Sequence, residues 1–454
     1  MSKILIKNLK EIITMNDNRE RLKDSSLLIK DNKIVKIAKN IEEKNVDKVI
    51  DGSKYYLFPG LINTHHHFYQ TLTRNLPDAQ QAELFEWLKY LYPIWANLSP
   101  EAVYYSTLLA SAELLKTGCT TASDQFYVFP KNQPDNLLDY QFDAAEDIGI
   151  RLHACRGSMS LSEKDGGLPP DNVVQTDKEI IDDSLRLIEK YHDSSPFAMK
   201  RIVLAPCSPF SVTEDLMIES IKLAREYGVQ CHTHLAETKD EEKYVQDRFG
   251  MRPLAYMEKL GWIGEDVWYA HGVHLNSKEI KKLAETKTGV AHCPVSNMKL
   301  SSGAAEVPEM ISLGVPVGLA VDGSASNDSS NMILEMKAAF LMHRLIHGMN
   351  SITAEGVLSL ATNGGRDILN QPVIGSLEEG KAADMFMISS ERLGFAGGLY
   401  DPVSAIINTG DSQEVDYTIV NGEIVVENGK LTNVDEKEII SRTNEISKKM
   451  IAGS

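Results

Sequence analysis

Two patterns of apolar and polar positions alternate along the chain. Residues 1–57 contain short segments of alternating polarity separated by turns, such as SSLLIKDNKIVKIA. A period of two is typical of half-buried β-strands. Residues 366–454 have the same texture, and Asn421-Gly422 there is a typical hairpin turn. The two chain ends are therefore predicted to form one small β-sandwich, and VDEKEIISRTNEISKKMIA adds a terminal amphipathic helix.

The middle of the chain, residues 58–365, shows a different pattern. Short apolar runs recur eight times, and longer helical patterns such as EAVYYSTLLASAELLKT separate them. Strands that alternate with helices predict a parallel sheet, and eight of them fit a (β/α)8 barrel. An open doubly wound sheet is the rival, but the chain lacks a GxGxxG fingerprint. We predict an α/β fold, a TIM-like barrel flanked by the β-sandwich of the two chain ends.

Histidine and acidic residues follow four of the eight apolar runs. The first run ends in a histidine triplet at 65–67 and the fifth in HTHLAE at 232–237. The sixth ends in AHGVH at 270–274, and the eighth ends in Asp322. In a (β/α)8 barrel the carboxyl ends of the strands meet at one mouth, where the active site lies. The sequence therefore predicts a single polar site at that mouth.

Strand alternation decides which histidines can act together. Neighbouring side chains on a strand point to opposite faces, so His65 and His67 share one face and His66 points toward the helices. His232 and His234 are alternatives by the same rule, and His234 lies nearer the mouth. Three imidazoles and one carboxylate suit Zn²⁺ or Fe²⁺. The predicted ligands are His65, His67, His234 and Asp322.

Each of these residues also has an ordinary structural interpretation. A single buried histidine is usually a hydrogen-bonded core residue. Asp322 could cap a helix that begins in SASNDSSN, and Glu237 could be a solvated carboxylate at a helix N-terminus. Agreement among four strand ends favours a metal site over these separate explanations. Glu237 lies three residues after His234, which places it beside the predicted metal.

Composition and charge restrict the class of partner. The chain has 454 residues, 24% of them charged, and a net charge of −17. This charge argues against a nucleic-acid backbone or an anionic membrane as partner. No apolar run reaches the roughly 18 residues of a membrane helix, and the start lacks the apolar segment of a signal peptide. The five cysteines are scattered without a CxxC pair, which indicates a reducing cytoplasm.

With these residues in hand, nearly the whole chain resembles the amidohydrolase superfamily. The motifs that carry the resemblance are PGLINTHHH, THLAET, AHGVHL, AHCPVSNMKLSSG and VGLAVDGSASND. Within the superfamily the chain resembles the deaminases of purine-like rings. The stretches THHHFYQTLTR, ELFEWLKYLYPIWA, APCSPFSV and DGSASNDSSN are most similar to 8-oxoguanine deaminases. Related enzymes are guanine, isoxanthopterin and adenosine-derivative deaminases and the triazine hydrolases.

The resemblance implies roles for individual residues and a single divalent ion, zinc or iron. Glu237 matches the proton-shuttling acid, and His271 matches the histidine that holds the reacting group. Asp322 is implied both to ligate the metal and to accept a proton from water. Relatives with two metals carry a bridging lysine at the end of strand four, but that strand reads IVLAPCSPF here. The resemblance also implies a homo-oligomer.

The implied reaction converts 8-oxoguanine and water to uric acid and ammonia. A guanine, isoxanthopterin or methylthioadenosine/S-adenosylhomocysteine deaminase and a triazine hydrolase remain alternatives. Relatives that act on adenosine thioethers tend to have histidine where this chain has Cys207, which favours a compact free base. A non-catalytic barrel is a remote alternative, because every expected ligand is present.

Three further residues are candidates for contact with the ring. Gln70 leaves the first strand, and its amide offers both a donor and an acceptor. Arg156 ends the third strand in HACRG, where an inward guanidinium would hold a ring carbonyl. A surface ion pair is an equal alternative for Arg156. Trp87 lies in the long first loop and would cover the ring, although helix packing explains it as well.

Overall fold

The computed structural model describes residues 2–410 and 414–453, and its strands form two sheets. The first sheet is mixed and uses strands from both chain ends, and the second is parallel and comes from the middle. The strands in chain order are β1 (Lys3–Ile13), β2 (Arg21–Lys30), β3 (Lys33–Ala38), β4 (Lys48–Asp51), β5 (Tyr55–Pro59), β6 (Leu61–Asn63), β7 (Cys119–Phe126), β8 (Arg151–Ser158), β9 (Lys200–Pro206), β10 (Gln230–Leu235), β11 (Val267–His271), β12 (Gly289–His292), β13 (Val317–Leu319), β14 (Met385–Ser389), β15 (Tyr417–Val420), β16 (Glu423–Glu427) and β17 (Lys430–Leu431).

Helices connect the strands of the parallel sheet and close the chain. They are α1 (Leu84–Trp95), α2 (Pro100–Lys116), α3 (Leu137–Ile148), α4 (Asp177–Tyr191), α5 (Glu214–Tyr227), α6 (Lys239–Phe249), α7 (Pro253–Lys259), α8 (Ser277–Thr286), α9 (Pro294–Lys299), α10 (Val307–Leu313), α11 (Met332–His347), α12 (Ala354–Ser359), α13 (Gly365–Ile368), α14 (Pro402–Thr409) and α15 (Glu436–Ala452). No described helix combines the length and the apolar character that crossing a membrane requires.

The mixed sheet joins the two ends of the chain. Its order is β17-β16-β15-β14-β5-β1-β2-β3, with β4 paired to β1. β5 joins the strands from the two chain ends, because it pairs antiparallel with β14 and parallel with β1. Buried aliphatic side chains such as Ile6, Leu57 and Met387 form the core of this sheet. The predicted β unit built from both chain ends is confirmed.

The parallel sheet is the predicted barrel. Its order runs from β6 to β13 in sequence, and each strand pairs with the next. The circle closes beyond the strand ends, where Thr64 N donates to Leu319 O at 3.2 Å and Asp322 N donates to His65 O at 3.2 Å. These closing bonds place His65 directly against Asp322, so closure of the barrel brings the first and last strand ends together.

Local signals in the sequence set the ends of the barrel helices. α5 begins at Thr213, whose Oγ1 accepts a hydrogen bond from Leu216 N, and ends at Gly228 in the left-handed region with φ +67°. α6 follows the same rule between Thr238 and Gly250. A hydroxyl cap satisfies a free amide at the N-terminus, and glycine takes the left-handed exit without strain. The threonine caps follow the carboxyl ends of β9 and β10, on the side of the barrel where the polar residues lie.

The first loop is tied down from two sides. A 3-10 helix at Phe68–Thr73 follows the histidine triplet and is wholly buried. Ser447 on the terminal helix α15 donates to Leu72 O at 2.6 Å. Phe68 N donates to Oδ1 of the buried Asp124 at 2.5 Å. The loop that carries Gln70 is therefore held by β7 and by the end of the chain.

Candidate active site

Four predicted ligands converge at the barrel mouth. The side chains of His65, His67, His234 and Asp322 are buried, and one ligand atom from each lies within 4.8 Å of all the others. Asp322 Oδ1 lies 3.2 Å from His65 Nε2 and 3.4 Å from His67 Nε2. The convergence comes from β6, β10 and β13, which are separated in sequence but meet at one end of the barrel.

Hydrogen bonds fix the orientation of all three imidazoles. His67 Nδ1 lies 2.8 Å from Gln125 O, and His234 Nδ1 lies 2.6 Å from Cys207 O. A carbonyl oxygen only accepts, so Nδ1 carries the proton and Nε2 keeps its lone pair. His65 Nδ1 is engaged by a fourth histidine, His232 Nε2, at 2.7 Å. Each of the three imidazole rings therefore turns its Nε2 toward the centre of the cluster that the three histidines form with Asp322.

This geometry fits a divalent cation. His67 Nε2 and His234 Nε2 face each other at 3.1 Å, and the carbonyl contacts leave a lone pair on both atoms. Two buried lone pairs at this distance repel each other unless a cation lies between them. Burial lowers the pKa of His65, His67 and His234, so the imidazoles are neutral at pH 7, the form that binds metal. The donor set of three nitrogens and one carboxylate matches a transition-metal site.

Asp322 is held as a carboxylate in a strained backbone position. Its φ is +62°, in the left-handed region. Oδ2 accepts hydrogen bonds from Ser296 Oγ at 2.5 Å and from Ser326 Oγ at 3.1 Å. Burial alone would raise the pKa of Asp322, but contact with His65 and the nearby His271, whose own pKa is raised, outweigh burial and hold it well below its ordinary value. Asp322 is therefore ionised, as a metal ligand must be.

Glu237 and His271 form a pair beside the four ligands. Glu237 Oε2 lies 3.5 Å from His271 Nε2, and both side chains are buried. Burial raises the pKa of Glu237 to about 7, although His271 opposes the shift. His271 Nδ1 lies 2.9 Å from Asn297 Oδ1, which directs Nε2 toward Glu237. A carboxyl group that titrates near neutral pH both donates and accepts protons, as acid–base catalysis requires.

A small cavity adjoins this pair. Its wall includes Gln70 and Trp87, two of the residues predicted to contact a ring, together with His67, Glu237 and Cys207. Its open volume is about 30 Å³. A single water needs about 10–15 Å³, so the cavity admits water but not a bicyclic ring. Leu84, Trp87 and Leu88 of α1 contribute to the same wall.

Comparison with known proteins agrees with this arrangement. Residues 56–425 match the sequence profile of the Amidohydrolase family. The chain belongs to the amidohydrolase family. It is 43% identical to the 8-oxoguanine deaminase of Pseudomonas aeruginosa over 100% of both chains. It is 38% identical to the hydroxydechloroatrazine ethylaminohydrolase of Pseudomonas sp., over 94% of this chain and 91% of that protein.

A solved structure is also similar to this chain over nearly its whole length. The atrazine chlorohydrolase of Arthrobacter aurescens, complexed with zinc, has a TM-score of 0.94 and 32% identity to this chain. The similarity covers 98% of this chain and 100% of that protein. Together with the curated relatives, this places the amidohydrolase among hydrolases of carbon–nitrogen bonds of the deaminase type. It also supports a divalent metal at the cluster of three histidines and one aspartate.

The prediction that Arg156 holds a ring carbonyl is wrong. Arg156 does not face the cavity, because β8 places Cys155 inside the barrel and Arg156 outside. Its Nε donates to Asp183 Oδ2 on α4 at 2.8 Å, and the guanidinium lies over the ring of Phe129. Arg156 therefore forms a buried ion pair with Asp183 that joins β8 to α4. The alternation rule that resolved the histidine triplet also explains this outcome.

His66 lies outside the ligand cluster, in agreement with strand alternation. Its Nε2 lies 2.9 Å from Ser330 Oγ, and its Nδ1 accepts a hydrogen bond from His67 N at 2.7 Å. The ring is buried against the segment that follows Asp322. His66 therefore connects the first and last strand ends without contributing a ligand atom.

Sequence analysis missed two side chains that hold the site. Strand alternation predicts His232 only as an alternative to His234, whereas its Nε2 lies 2.7 Å from His65 Nδ1 and orients that ring. Glu241 was not considered, and its carboxylate accepts from Ala236 N at 2.8 Å and from Glu237 N at 2.9 Å. Ala236 has φ +54°, so Glu241 stabilises a strained turn next to Glu237. The signal was present, because Thr238 followed by Glu241 has the spacing of a capping box.

Glu241→Gln is expected to lower kcat by about 10-fold or more while KM and metal content change little. Glutamine offers one acceptor oxygen, and its amide nitrogen would face a second backbone N–H. The turn that aims Glu237 then loses one of its two bonds. Steady-state kinetics and metal analysis check this expectation, with the exposed Asp240→Asn on the same helix as control. An unchanged kcat would show that Glu241 only caps α6.

Proposed function

We propose that this amidohydrolase hydrolyses 8-oxoguanine to uric acid and ammonia. The observation that carries the proposal is Glu237, a buried carboxyl with a pKa of about 7, facing His271 beside the four ligand atoms. Deamination of an amidine-like ring carbon needs such a group, since a ring nitrogen must gain a proton as water adds. The similarity to the 8-oxoguanine deaminase of Pseudomonas aeruginosa supports the choice of ring.

The cofactor proposed is one zinc ion, with iron as the alternative. His65, His67, His234 and Asp322 would hold it. When bound, a zinc ion supplies Lewis acidity and lowers the pKa of coordinated water to about 7. A zinc-bound neighbour with 32% identity supports zinc over iron.

The side chains of this chain account for the proton transfers. Asp322 accepts a proton from the attacking water through its carboxylate, which is ionised at neutral pH. Glu237 in its protonated form donates to the ring nitrogen next to the reacting carbon. His271 donates a hydrogen bond to the oxygen added at that carbon. The proton held by Asp322 then passes to the exocyclic amine, and ammonia leaves as the carbon–nitrogen bond breaks. The hydroxyl proton of the added oxygen returns to Glu237 as the carbonyl forms, so one water is consumed for each ammonia formed.

Gln70 is proposed to recognise the edge of the ring. Its side chain is buried, and Oε1 meets no hydrogen-bond partner among the described residues. Gly323 packs against this amide, since a Cβ at position 323 would lie 1.9 Å from Gln70 Oε1. The backbone of the eighth strand end therefore leaves room for the amide to lie against the cavity. A ring N–H would satisfy this oxygen once the amide turns toward the cavity.

Gln70→Leu is expected to reduce kcat/KM for the preferred ring by about 10- to 100-fold, because one buried hydrogen bond is worth about 1–3 kcal/mol when its partner is left unpaired. The ligand cluster is untouched, so metal content should match the wild type. Steady-state kinetics with Gln80→Leu, an exposed glutamine beyond the same loop, provide the control. Equal kcat/KM in the variant and the control would show that Gln70 does not recognise the ring.

A substrate panel tests the choice of ring. Ammonia release is measured with 8-oxoguanine, guanine, isoxanthopterin, methylthioadenosine and a hydroxylated triazine at equal concentrations. The proposal expects the highest kcat/KM for 8-oxoguanine. Turnover of another ring with none on 8-oxoguanine would overturn the substrate while leaving the deaminase class intact. The panel includes a triazine because the hydroxydechloroatrazine ethylaminohydrolase is 38% identical to this chain.

We also propose that the enzyme works in the cytoplasm on a small free molecule. All five cysteines are buried and unpaired, which fits a reducing compartment. The acidic net charge of −17 makes a nucleic acid or an anionic membrane an unfavourable partner.

A further inference from the structure

Both carboxylate oxygens of Asp322 already have neighbours that use their lone pairs. Oδ1 lies 3.2 Å from His65 Nε2 in the ligand cluster and accepts a hydrogen bond from Gly323 N at 2.7 Å. Oδ2 accepts hydrogen bonds from the hydroxyls of Ser296 at 2.5 Å and Ser326 at 3.1 Å. Each oxygen of a carboxylate has about two lone pairs. Oδ2 therefore takes the proton of the attacking water only when one of the two hydroxyls turns away.

The two serines differ in the acceptors that their hydroxyls can reach. Ser326 Oγ also lies 3.0 Å from Gly323 O, so its one hydrogen has two acceptors. Among the described residues, Ser296 Oγ donates to Asp322 Oδ2 alone. A buried hydroxyl that loses its acceptor is costly, so Ser296 stays on Oδ2. Ser326 is therefore the hydroxyl that gives up its place to the arriving proton.

The two serines also differ in their position relative to the cavity. Ser326 and Asp322 line the cavity, whereas Ser296 is not among the described residues of its wall. Gly323 O also accepts hydrogen bonds from two backbone amides, Ser326 N and Asn327 N, both at 3.0 Å. Because three donors share this carbonyl, its hold on the Ser326 hydroxyl is weak. The hydroxyl can therefore turn from Gly323 toward a ring in the cavity.

We propose that Ser326 relays the proton from Asp322 to the departing amine. The relay rests on the deaminase function proposed above. Once Oδ2 holds the proton of the attacking water, it donates a hydrogen bond to Ser326 Oγ. The Ser326 hydroxyl then donates to the lone pair of the exocyclic amine.

The relay moves two protons in one step. One proton passes from Asp322 Oδ2 to Ser326 Oγ, and the other passes from Oγ to the amine nitrogen. The carbon–nitrogen bond breaks, and its electron pair leaves with ammonia. Asp322 is again a carboxylate and Ser326 again a hydroxyl, so neither residue is changed by a turnover.

Alanine variants of the two serines test the relay in the metal-loaded enzyme. Ser326→Ala is expected to lower kcat for ammonia release by at least about 100-fold while metal content stays at the wild-type level. Ser296→Ala removes a hydrogen bond from the same oxygen but keeps the relay, so a loss of about 10-fold or less is expected. Ser277→Ala, at an exposed serine of α8, is the control. A loss in Ser326→Ala no larger than that in Ser296→Ala would overturn the proposal.

A proton inventory separates a relay from a purely structural role of Ser326. The rate is measured in mixtures of H2O and D2O, with the ring of the substrate panel that is turned over fastest. Two protons in flight give a curved dependence of kcat on the deuterium fraction in the wild type, and a single proton gives a straight line in Ser326→Ala. Misplacement of Asp322 would slow the reaction without changing the number of protons that move.

The inventory also distinguishes failure of the relay from failure of the proposed function. A straight line for the wild type, or the same curve for the wild type and Ser326→Ala, would overturn the relay and leave the deaminase function intact. A wild type that releases ammonia from none of the rings would overturn both.

Discussion

Glu237→Gln is expected to abolish turnover while the metal content stays at the wild-type level. Glutamine keeps the size and polarity of the side chain but cannot carry a proton between water and the ring. General acid–base catalysis contributes about 10²–10⁴-fold, so kcat should fall by at least that range. The ligand atoms come from other residues, and none of them is altered. Parallel measurement of kcat and of bound metal in the same preparation checks both parts.

The comparison for this variant is Glu226→Gln, an exposed glutamate on α5. It introduces the same chemical change far from the barrel mouth and should retain full activity. Activity in Glu237→Gln within a few-fold of this control would refute the shuttle role. Loss of metal together with loss of activity would instead show that Glu237 supports the ligand cluster.

His67→Ala should reduce the metal affinity far more than His66→Ala. His67 would provide one of the four atoms that hold the metal. Even residues that only support a ligand cost about 10–100-fold in metal affinity when they are removed. We therefore expect a loss of at least about 100-fold for His67→Ala. Competition with a chelator of known affinity measures it, with activity following the metal content.

His66→Ala is the matched control within the same triplet. It loses hydrogen bonds to Ser330 and to His67 N, so the protein should be less stable to heat. Its ligand atoms are unchanged, so the metal should remain bound at wild-type stoichiometry. Equal losses of metal affinity in the two variants would contradict the division of the triplet into ligands and a neighbour.

The periodicity of the sequence predicted the large features of the fold well. Eight apolar runs became the eight barrel strands, and the two chain ends share one sheet. The cluster of His65, His67, His234 and Asp322 followed from alternation at strand ends, because a period of two fixes which side chains share a face. Loop positions were harder to predict, since nothing in a local pattern fixes how α1 lies over the mouth. Trp87 lines the cavity together with Leu84 and Leu88 of the same helix.

Failures of the sequence analysis came from contacts between distant residues. Arg156 was expected to face the ring, but a carboxylate on α4, Asp183, binds it on the outside of the barrel. His232 shares a face with His234 but lies deeper, where it contacts His65 and stays outside the cluster of four. Whether such a residue binds metal or supports a ligand depends on depth within the barrel. Spacing in the sequence gives the face and not the depth.

Hydrolysis in oxygen-18-labelled water tests the central claim most directly. The metal-loaded enzyme is given 8-oxoguanine, and the mass of the uric acid and the amount of ammonia are measured together. The account predicts one labelled oxygen in each uric acid and one ammonia per uric acid formed. Neither product from 8-oxoguanine, or a product without the label, would contradict it.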